Sequence, residues 1–358
     1  MKVLHILSEL QFSGAELMLY TASGRLNNAG LQTTVLATGE NEGIFAKYLK
    51  EPGWQIAHIP LRKNLDFFKK LYRFIKINGF DVVHVHTEGS FIYIATIARL
   101  AGAKKILGHI HNNFLFDEYL TKRRRFHHKL ADKLLGVQFI SIGDSVEKTE
   151  RDIYNTKTTL VHNWIDVNKF SEEKLPHLAA DNTIELRFIT VGKCLAEKRH
   201  IDVLKLVKHL DDKGIACRHI QIGSGPLEAE ERKWADDNGI MHMVNFISST
   251  NEVEKYLAAS NFFLMPSTFE GVSIACLEAM AAGLFCFVND APGLNNLIQD
   301  GKSGFVGDFL DTATIADRIL QICKDPESYS SMTQQAKQYV FDKHSVNNID
   351  QIIAIYNQ

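Results

Sequence analysis

The chain has 358 residues, 45% hydrophobic and 23% charged, with only 7 Pro. That length exceeds one ordinary core and fits two domains of roughly 150–200 residues, and the composition excludes a disordered or fibrous chain. The net charge is −2, and the five cysteines are odd in number and widely spaced with no C-x-x-C pair; this suits a reducing cytosol and argues against a disulfide framework or zinc site.

The first apolar run, Val3–Leu7, meets Glu9 too soon for a signal-peptide core and reads as a strand. Further strands are expected at Thr33–Ala37, Gln55–Ile59, Val82–Val85, Lys105–Gly108, Phe139–Ile142 and Thr159–Val161. Helical stretches at Glu16–Leu26, Leu65–Ile77 and Ile92–Leu100 alternate with them. A second series runs through Leu186–Val191, His219–Ile222, Val244–Phe246, Phe262–Leu264 and Phe285–Val288. Its helices are Ile201–Leu210, Glu228–Asn238, Val253–Ala258 and Ile274–Ala282. Such alternation predicts α/β domains with parallel sheets covered by helices on both faces. The polar segment Glu172–Thr183, with Pro176, is the expected boundary. The organisation expected is therefore 1–170, 171–340, and a terminal helix over 341–358 that packs back on the first domain; the tail breaks near His344-Ser345. No run of about 18 apolar residues occurs, so no transmembrane helix is expected.

Charge is unevenly divided. Residues 1–165 carry 22 Lys+Arg against 15 Asp+Glu, a net +7, and residues 166–358 carry 18 against 27, a net −9. The basic half holds Lys69, Lys70, Arg73 and Lys76, and the run Lys122-Arg123-Arg124-Arg125 followed by His127, His128 and Lys129. Two readings stand: a face that attracts anionic lipid or acidic substrate, or a solvated helix face.

In doubly wound domains ligands bind beyond the carboxyl ends of the strands, so residues there are the candidates. Gly14 opens the first helix, where a small residue and a helix start favour an anion. His84 and His86 end the fourth strand, and His109 and His111 the fifth. Residues i and i+2 share a face, which admits a metal reading, but no local motif supplies a full ligand set; a histidine lining the cleft is the better reading. Lys193 and Lys198 follow Gly192 in a strand-to-helix loop and suit a diphosphate. Gly223, Gly225 and Pro226 form a tight turn with Pro226 expected as the first helical residue. The strongest segment runs from Pro266 to Gly283. In it Glu270 follows an apolar strand, and Glu278 lies within a mostly apolar helix where an unpaired carboxylate is costly.

The segment resembles glycosyltransferase family 4, retaining enzymes of the GT-B fold: two Rossmann-like doubly wound domains facing a central cleft. Glu270-x₇-Glu278 followed by Ala279-Met280-Ala281 is similar to the family's E-x₇-E signature. Gly192 to Lys198 resembles its G-R-x₄-K loop, Gly223-Ser224-Gly225-Pro226 its G-x-G-P turn, and Asn163-Trp164-Ile165-Asp166 with Phe170 its linker strand. Ser13-Gly14 and Gly293 to Gly301 resemble its two other glycine loops. The resemblance implies that Lys193, Lys198 and Gly14 handle the donor diphosphate, and that Glu278 binds the ribose. It assigns the transferred sugar to Glu270, Gly271, Val272, Ser273 and His111, with His109 as the competing histidine, and the nucleotide to Gly223, Gly225 and Pro226. Lys198, Glu270 and His111 are the implied catalytic set. The expected reaction moves a hexose or N-acetylhexosamine from a nucleotide-sugar, UDP-linked by resemblance, to a saccharide or lipid-linked acceptor of a surface polysaccharide. No cofactor, metal or nucleic acid is expected, and the setting is cytoplasmic, on the membrane's inner face if the basic patch docks there. The chain departs from the pattern at Lys193 (usually Arg), Ser13 and Trp164 (usually Gly), and Asn295-Asn296 (often Glu); lysine keeps the charge of arginine without its bidentate geometry. An epimerase on the same fold and a weakly active carbohydrate-binding subunit are the alternatives.

Overall fold

The computed structural model describes residues 1–62, 64–113, 115–170, 185–248 and 250–358. The first series of strands is β1 (Lys2–Leu7), β2 (Gln32–Ala37), β3 (Gln55–His58), β4 (Val82–Val85), β5 (Lys105–Ile110), β6 (Val137–Ser141) and β7 (Thr158–Leu160). They form one parallel sheet in the order β3-β2-β1-β4-β5-β6-β7. Between them run α1 (Gly14–Asn28), α2 (Ala46–Lys50), α3 (Leu65–Asn78), α4 (Phe91–Ala101), α5 (Glu118–Leu135) and α6 (Asp144–Asp152).

Local signals set these helices. The Asn64 side chain caps α3 by accepting the Phe67 N–H, and Gly79 ends it in the left-handed region at φ 63°. Phe67, Leu71 and Ile75, four apart, are its buried stripe. Asp117 caps α5 in the same way and Gly136 terminates it at φ 60°. The basic run Lys122-Arg123-Arg124-Arg125 thus lies in the first turns of α5.

The second series is β8 (Leu186–Val191), β9 (Cys217–Ile222), β10 (Val244–Ile247), β11 (Phe262–Met265), β12 (Phe285–Asn289) and β13 (Phe305–Gly307). These make a second parallel sheet in the order β10-β9-β8-β11-β12-β13. Its helices are α7 (His200–Asp212), α8 (Glu228–Asp237), α9 (Val253–Ala258), α10 (Ile274–Ala281), α11 (Thr312–Cys323) and α12 (Pro326–Lys343). The tail breaks after Lys343 and resumes as α13 (Ile349–Asn357). Pro226 is not the first helical residue: it sits in the turn before α8, which begins at Glu228.

Two compact units result: Met1–Trp164 with Val346–Gln358, and Ile165–Ser345. The expected divisions at 170/171 and 340/341 move by a few residues. A 3₁₀ turn at Val167–Phe170 packs on α10, and Ile165 pairs with Ser345 and donates its N–H to the His344 carbonyl at 2.9 Å. The predicted boundary segment 172–183 lies outside the described residues. In the first unit α13 buries Ile349, Ile352, Ile355 and Tyr356 in a core with Leu7, Met18, Leu107, Ile140 and Trp164. In the second, Phe188, Phe262 and Phe285 meet as tilted rings across β8, β11 and β12 in a core that includes Phe287. No helix of the described residues is long and apolar enough to cross a membrane.

In each sheet the strand order reverses beside the first strand, between β1 and β4 and between β8 and β11. A crevice opens beyond the carboxyl ends of strands at such a reversal. The loops that follow β8 and β11 carry the candidate lysines and Glu270.

Candidate functional site

The loop leaving β8 lies along the turn leaving β9. Gly192 donates its N–H to the Ile222 carbonyl at 2.9 Å, and Cys194 donates to the Ser224 carbonyl at 3.1 Å. Gly223 has φ +147°, and a Cβ there would stand 1.8 Å from the Gly192 carbonyl oxygen. At Gly225 it would stand 2.5 Å from the Cys194 carbonyl oxygen. Two backbones this close leave no room for side chains, which gives the glycine pair a physical reason. The loop then makes a 3₁₀ turn over Ala196–Lys198 and redirects into α7 through Arg199, a non-glycine residue at φ 51°. Asp202, at 2.6 Å from Arg199 Nε, holds that turn.

The loop leaving β11 is tied to the first. Thr268 donates its N–H to the Glu197 carbonyl at 2.8 Å, and Lys198 Nζ meets Glu270 Oε1 at 2.5 Å. Their side chains are 21% and 12% exposed, so the pair is sheltered yet open to a ligand. Glu270 is fixed from the other side too. Its N–H donates to the Pro292 carbonyl at 2.9 Å, and Gly293, at φ +86°, passes so near that a Cβ would lie 2.1 Å from the Glu270 carbonyl oxygen. Asn289 Nδ2 donates to the Ser267 carbonyl at 3.2 Å and steadies the loop's root.

Ser273 then caps α10, its hydroxyl accepting the Cys276 N–H at 3.3 Å. Gly271 and Ser273 are buried and Val272 partly so. α10 is apolar on most sides, and Glu278 is its one acidic residue. Loss of water pushes the Glu278 carboxyl up to about 7; Lys169 opposes the rise and Glu254 adds to it. Near neutrality this group is poised between a hydrogen-bond donor and an acceptor. Lys193 shares the β8 loop but is exposed, and no ion pair or side-chain hydrogen bond involves it among the described residues.

The first unit holds the remaining candidates. Gly14 is the first residue of α1, and the preceding Ser13 hydroxyl meets the Glu16 carboxylate. The histidines gather on one face of the sheet. His5 on β1 pairs in register with His84 on β4, and His86, His109 and His111 follow at the strand ends. Ring nitrogens meet at 3.0 Å between His5 and His86 and at 2.9 Å between His86 and His111, and His84 meets the Tyr356 hydroxyl at 2.6 Å. His109 is wholly enclosed whereas His111 keeps partial exposure, so His111 is the ring of the two that reaches the surface. Burial pushes the His111 ring down to about 4 and the His5 ring down to about 3.

His5 and Tyr356 were not singled out from the sequence. The sequence offered only part of the signal for His5, a histidine in an apolar run that predicts a buried strand; its place opposite His84 comes from the strand register. Tyr356 comes from α13, and nothing local announces its contact. The basic run on α5 also divides. Arg124 faces inward, 2.5 Å from Glu88 and 2.7 Å from Glu150, while Lys122, Arg123, Arg125 and Lys129 are exposed. Arg124, His128 and Ala131 follow helical spacing, which is the sequence sign of an inner face.

Known proteins carry the same organisation. The family model described as Glycosyltransferase Family 4 matches residues 12–169, and the one described as Glycosyl transferases group 1 matches residues 174–339. The chain is 23% identical over 321 residues to the UDP-Gal:alpha-D-GlcNAc-diphosphoundecaprenol alpha-1,3-galactosyltransferase of Escherichia coli, covering 84% of this chain and 81% of that protein. It is 26% identical over 309 residues to the N-acetyl-alpha-D-glucosaminyl L-malate synthase of Bacillus anthracis, covering 82% and 78%. Among solved structures, Anabaena Alr3699/HepE in complex with UDP-glucose superposes with a TM-score of 0.82 at 16% identity, over 99% of this chain and 98% of that one. With the two family models dividing nearly all of the sequence between them, the chain belongs to the family 4 glycosyltransferases and has the GT-B fold.

Proposed function

We propose that this glycosyltransferase takes a UDP-hexose or UDP-N-acetylhexosamine as donor and transfers the sugar with retention to a lipid-linked or free saccharide. The observation that carries this reading is the 2.5 Å contact of Lys198 with Glu270 at the reversal between β8 and β11. A cation and a carboxylate held together at that point suit a sugar diphosphate: Lys198 takes the negative charge that builds on the leaving diphosphate, and Glu270 takes the sugar hydroxyls. Glu278 accepts the ribose hydroxyls. Lys193, exposed on the same loop, adds charge at the diphosphate, and no metal ion is needed there. Gly223, Gly225 and Pro226 form the nucleotide edge of the site, the two glycines letting the turn after β9 lie against the β8 loop. Gly14 and His111 stand in the other unit, and their roles at the diphosphate and sugar rest on the family resemblance.

In this reading the acceptor hydroxyl attacks the anomeric carbon on the face the nucleotide leaves. The bond to the UDP oxygen breaks, and the departing diphosphate takes the acceptor proton. No enzyme carboxylate is required as nucleophile, unlike in a retaining hydrolase. UDP-glucose in the complex of Alr3699/HepE and the diphosphoundecaprenol in the name of the E. coli relative support the donor and acceptor classes, and polysaccharide assembly as the setting.

The same reading puts the protein in the cytoplasm with the exposed face of α5 against an anionic membrane. Tyr119, Phe126 and Leu134 project from that helix among Lys122, Arg123, Arg125 and Lys129, an arrangement suited to an interfacial helix. The test is a release and transfer assay with UDP-glucose, UDP-galactose and UDP-N-acetylglucosamine against lipid-linked saccharides, with the product's anomeric configuration read by NMR. Turnover of one donor only with an acceptor, and an α product, supports it. Epimerisation of the donor without an acceptor, or an inverted product, refutes it.

A further inference from the structure

The five histidines of the first unit form a cluster that the transfer reaction does not use as a whole. His5 and His84 are each 1% exposed, His109 2% and His86 9%. Along their strands His5 alternates with Val3 and Leu7, His84 with Val82 and His109 with Leu107, all members of one apolar core. The rings stack closely: His84 on His86 and His109 on His111 with centroids 4.5 Å apart, and His84 on His109 at 5.1 Å and 8°.

Hydrogen bonds inside the cluster do not satisfy it. Each neutral imidazole has one N–H to give and one lone pair to fill. The contacts His5–His86, His86–His111 and His84–Tyr356 leave His5 Nε2, His84 Nε2 and both nitrogens of His109 buried with no partner. Unpartnered buried nitrogens at this density are rare in native cores. Neutral imidazoles with open lone pairs are transition-metal ligands.

The geometry agrees. One nitrogen from each of His5, His84 and His86 lies within 4.8 Å of the other two, and His86, His109 and His111 form a second such triad sharing His86. Nitrogens 3.0 Å apart, as between His5 and His86, stand at the separation of adjacent ligands on an ion with bonds of about 2.0–2.1 Å. His84 already has its Nδ1 engaged by the Tyr356 hydroxyl, the outer contact that fixes the tautomer of a ligating histidine and leaves Nε2 for the metal.

We propose that this cluster is a structural metal site that takes one late first-row divalent ion, Zn²⁺ foremost, through His5, His84 and His86, with Tyr356 as the outer partner of His84. The ion would pin β1, β4 and, through Tyr356, the C-terminal helix α13 to one another. It has no part in neutralising the donor diphosphate, so the proposal stands or falls apart from the transfer reading.

The test uses the full chain, stripped with chelator and reloaded with Co²⁺ or Zn²⁺. Retained metal is measured by mass spectrometry after desalting, coordination by the visible absorption of Co²⁺, and stability by the thermal midpoint with and without metal. The variants are His5→Gln, His84→Gln, Tyr356→Phe, Cys194→Ala and His242→Gln. The Cys194 variant disables the second possible ligand group, Cys194, His200 and Glu231, and His242 is an exposed control. The proposal expects one equivalent of metal with a Co²⁺ spectrum of nitrogen ligands and a raised midpoint. Loss of at least tenfold in affinity is expected in the His5 and His84 variants, about tenfold in Tyr356→Phe, and none in the other two. Circular dichroism of the stripped variants, matching stripped wild type, separates lost binding from lost folding. No retained metal in wild type, or retention that survives His5→Gln and His84→Gln, or retention abolished by Cys194→Ala, overturns it.

Discussion

Lys198 Nζ lies 2.5 Å from Glu270 Oε1, joining two loops that are 72 residues apart in the chain and adjacent at the strand-order reversal of the second sheet. The backbone contact from Thr268 to Glu197 runs beside it, so the pair is held from below as well as by its own charge. Lys198→Ala and Glu270→Gln are each expected to lower turnover by about 10²–10³-fold, the cost of removing one positioned charge at a developing anion. The two changes together should cost little more than either alone, because each residue orients the other. Donor turnover in the two single variants and the double variant, with thermal midpoints as controls, measures this.

Gly293 supports the same residue from the far side. With φ +86° and a Cβ placed 2.1 Å from the Glu270 carbonyl oxygen, Gly293→Ala must move the Glu270 loop. The expected result is a destabilisation above about 1 kcal/mol together with a turnover loss comparable to Glu270→Gln. Gly301→Ala is the control: it shares a positive φ, but its Cβ meets nothing within 4 Å. It should lose stability by strain while keeping turnover per folded molecule. Chemical denaturation and kcat on both variants separate the two effects.

If Glu278 binds the ribose as proposed, donor binding should depend on pH. Burial pushes its carboxyl up to about 7 in the folded chain. A folded value above the unfolded one means the folded state holds the extra proton between about 4.5 and 7, so the cost of burying the charge is present above 7 and relieved as pH falls. Ribose hydroxyls donating to the ionised carboxylate reverse that preference. UDP affinity should therefore fall by up to about tenfold per unit below pH 7, with proton release on binding near neutrality. Calorimetry in two buffers of different ionisation heat detects the release. Glu278→Gln should abolish it, weaken UDP by about ten- to a hundredfold, and raise the ligand-free midpoint at pH 8.

Arg124 was read from the sequence as one of four equivalent basic residues, and the structure separates it from the rest. It pairs with Glu88 at 2.5 Å and Glu150 at 2.7 Å, with Glu150 itself enclosed. Arg124→Met strands two sheltered carboxylates and should cost about 3–5 kcal/mol, whereas Arg123→Gln should leave stability nearly unchanged. Urea unfolding distinguishes them. Binding to vesicles of anionic lipid at low salt should respond in the opposite order among folded variants: Arg123→Gln and Arg125→Gln weaken it, and added salt removes it.

The alternation of apolar runs was enough to foresee both sheets, since buried parallel strands and helical stripes have distinct periods. Val82–Val85 and Leu186–Val191 appear with the bounds read from the sequence. β13 was not foreseen because Phe305–Gly307 is too short to carry a period, and α5 was read only as one alternative for the basic run because few of its residues are buried. Glu270 and Lys198 were legible through their motif, but their contact was not, because it depends on how two loops cross. The histidine cluster was half legible. Alternating histidines at two strand ends were noted, while His5 required the register of a third strand and Tyr356 a helix some 270 residues away.

In the proposed reading the donor nucleotide is held by the loops after β8 and β11 and by α10. Isothermal titration of UDP into wild type, Lys198→Ala and Glu278→Ala, with exposed His242→Gln as control, tests it most directly. Saturable one-site binding is expected for wild type and the control, and at least tenfold weaker binding for each of the other two at an unchanged circular dichroism spectrum. Equal affinity in all four proteins would contradict it.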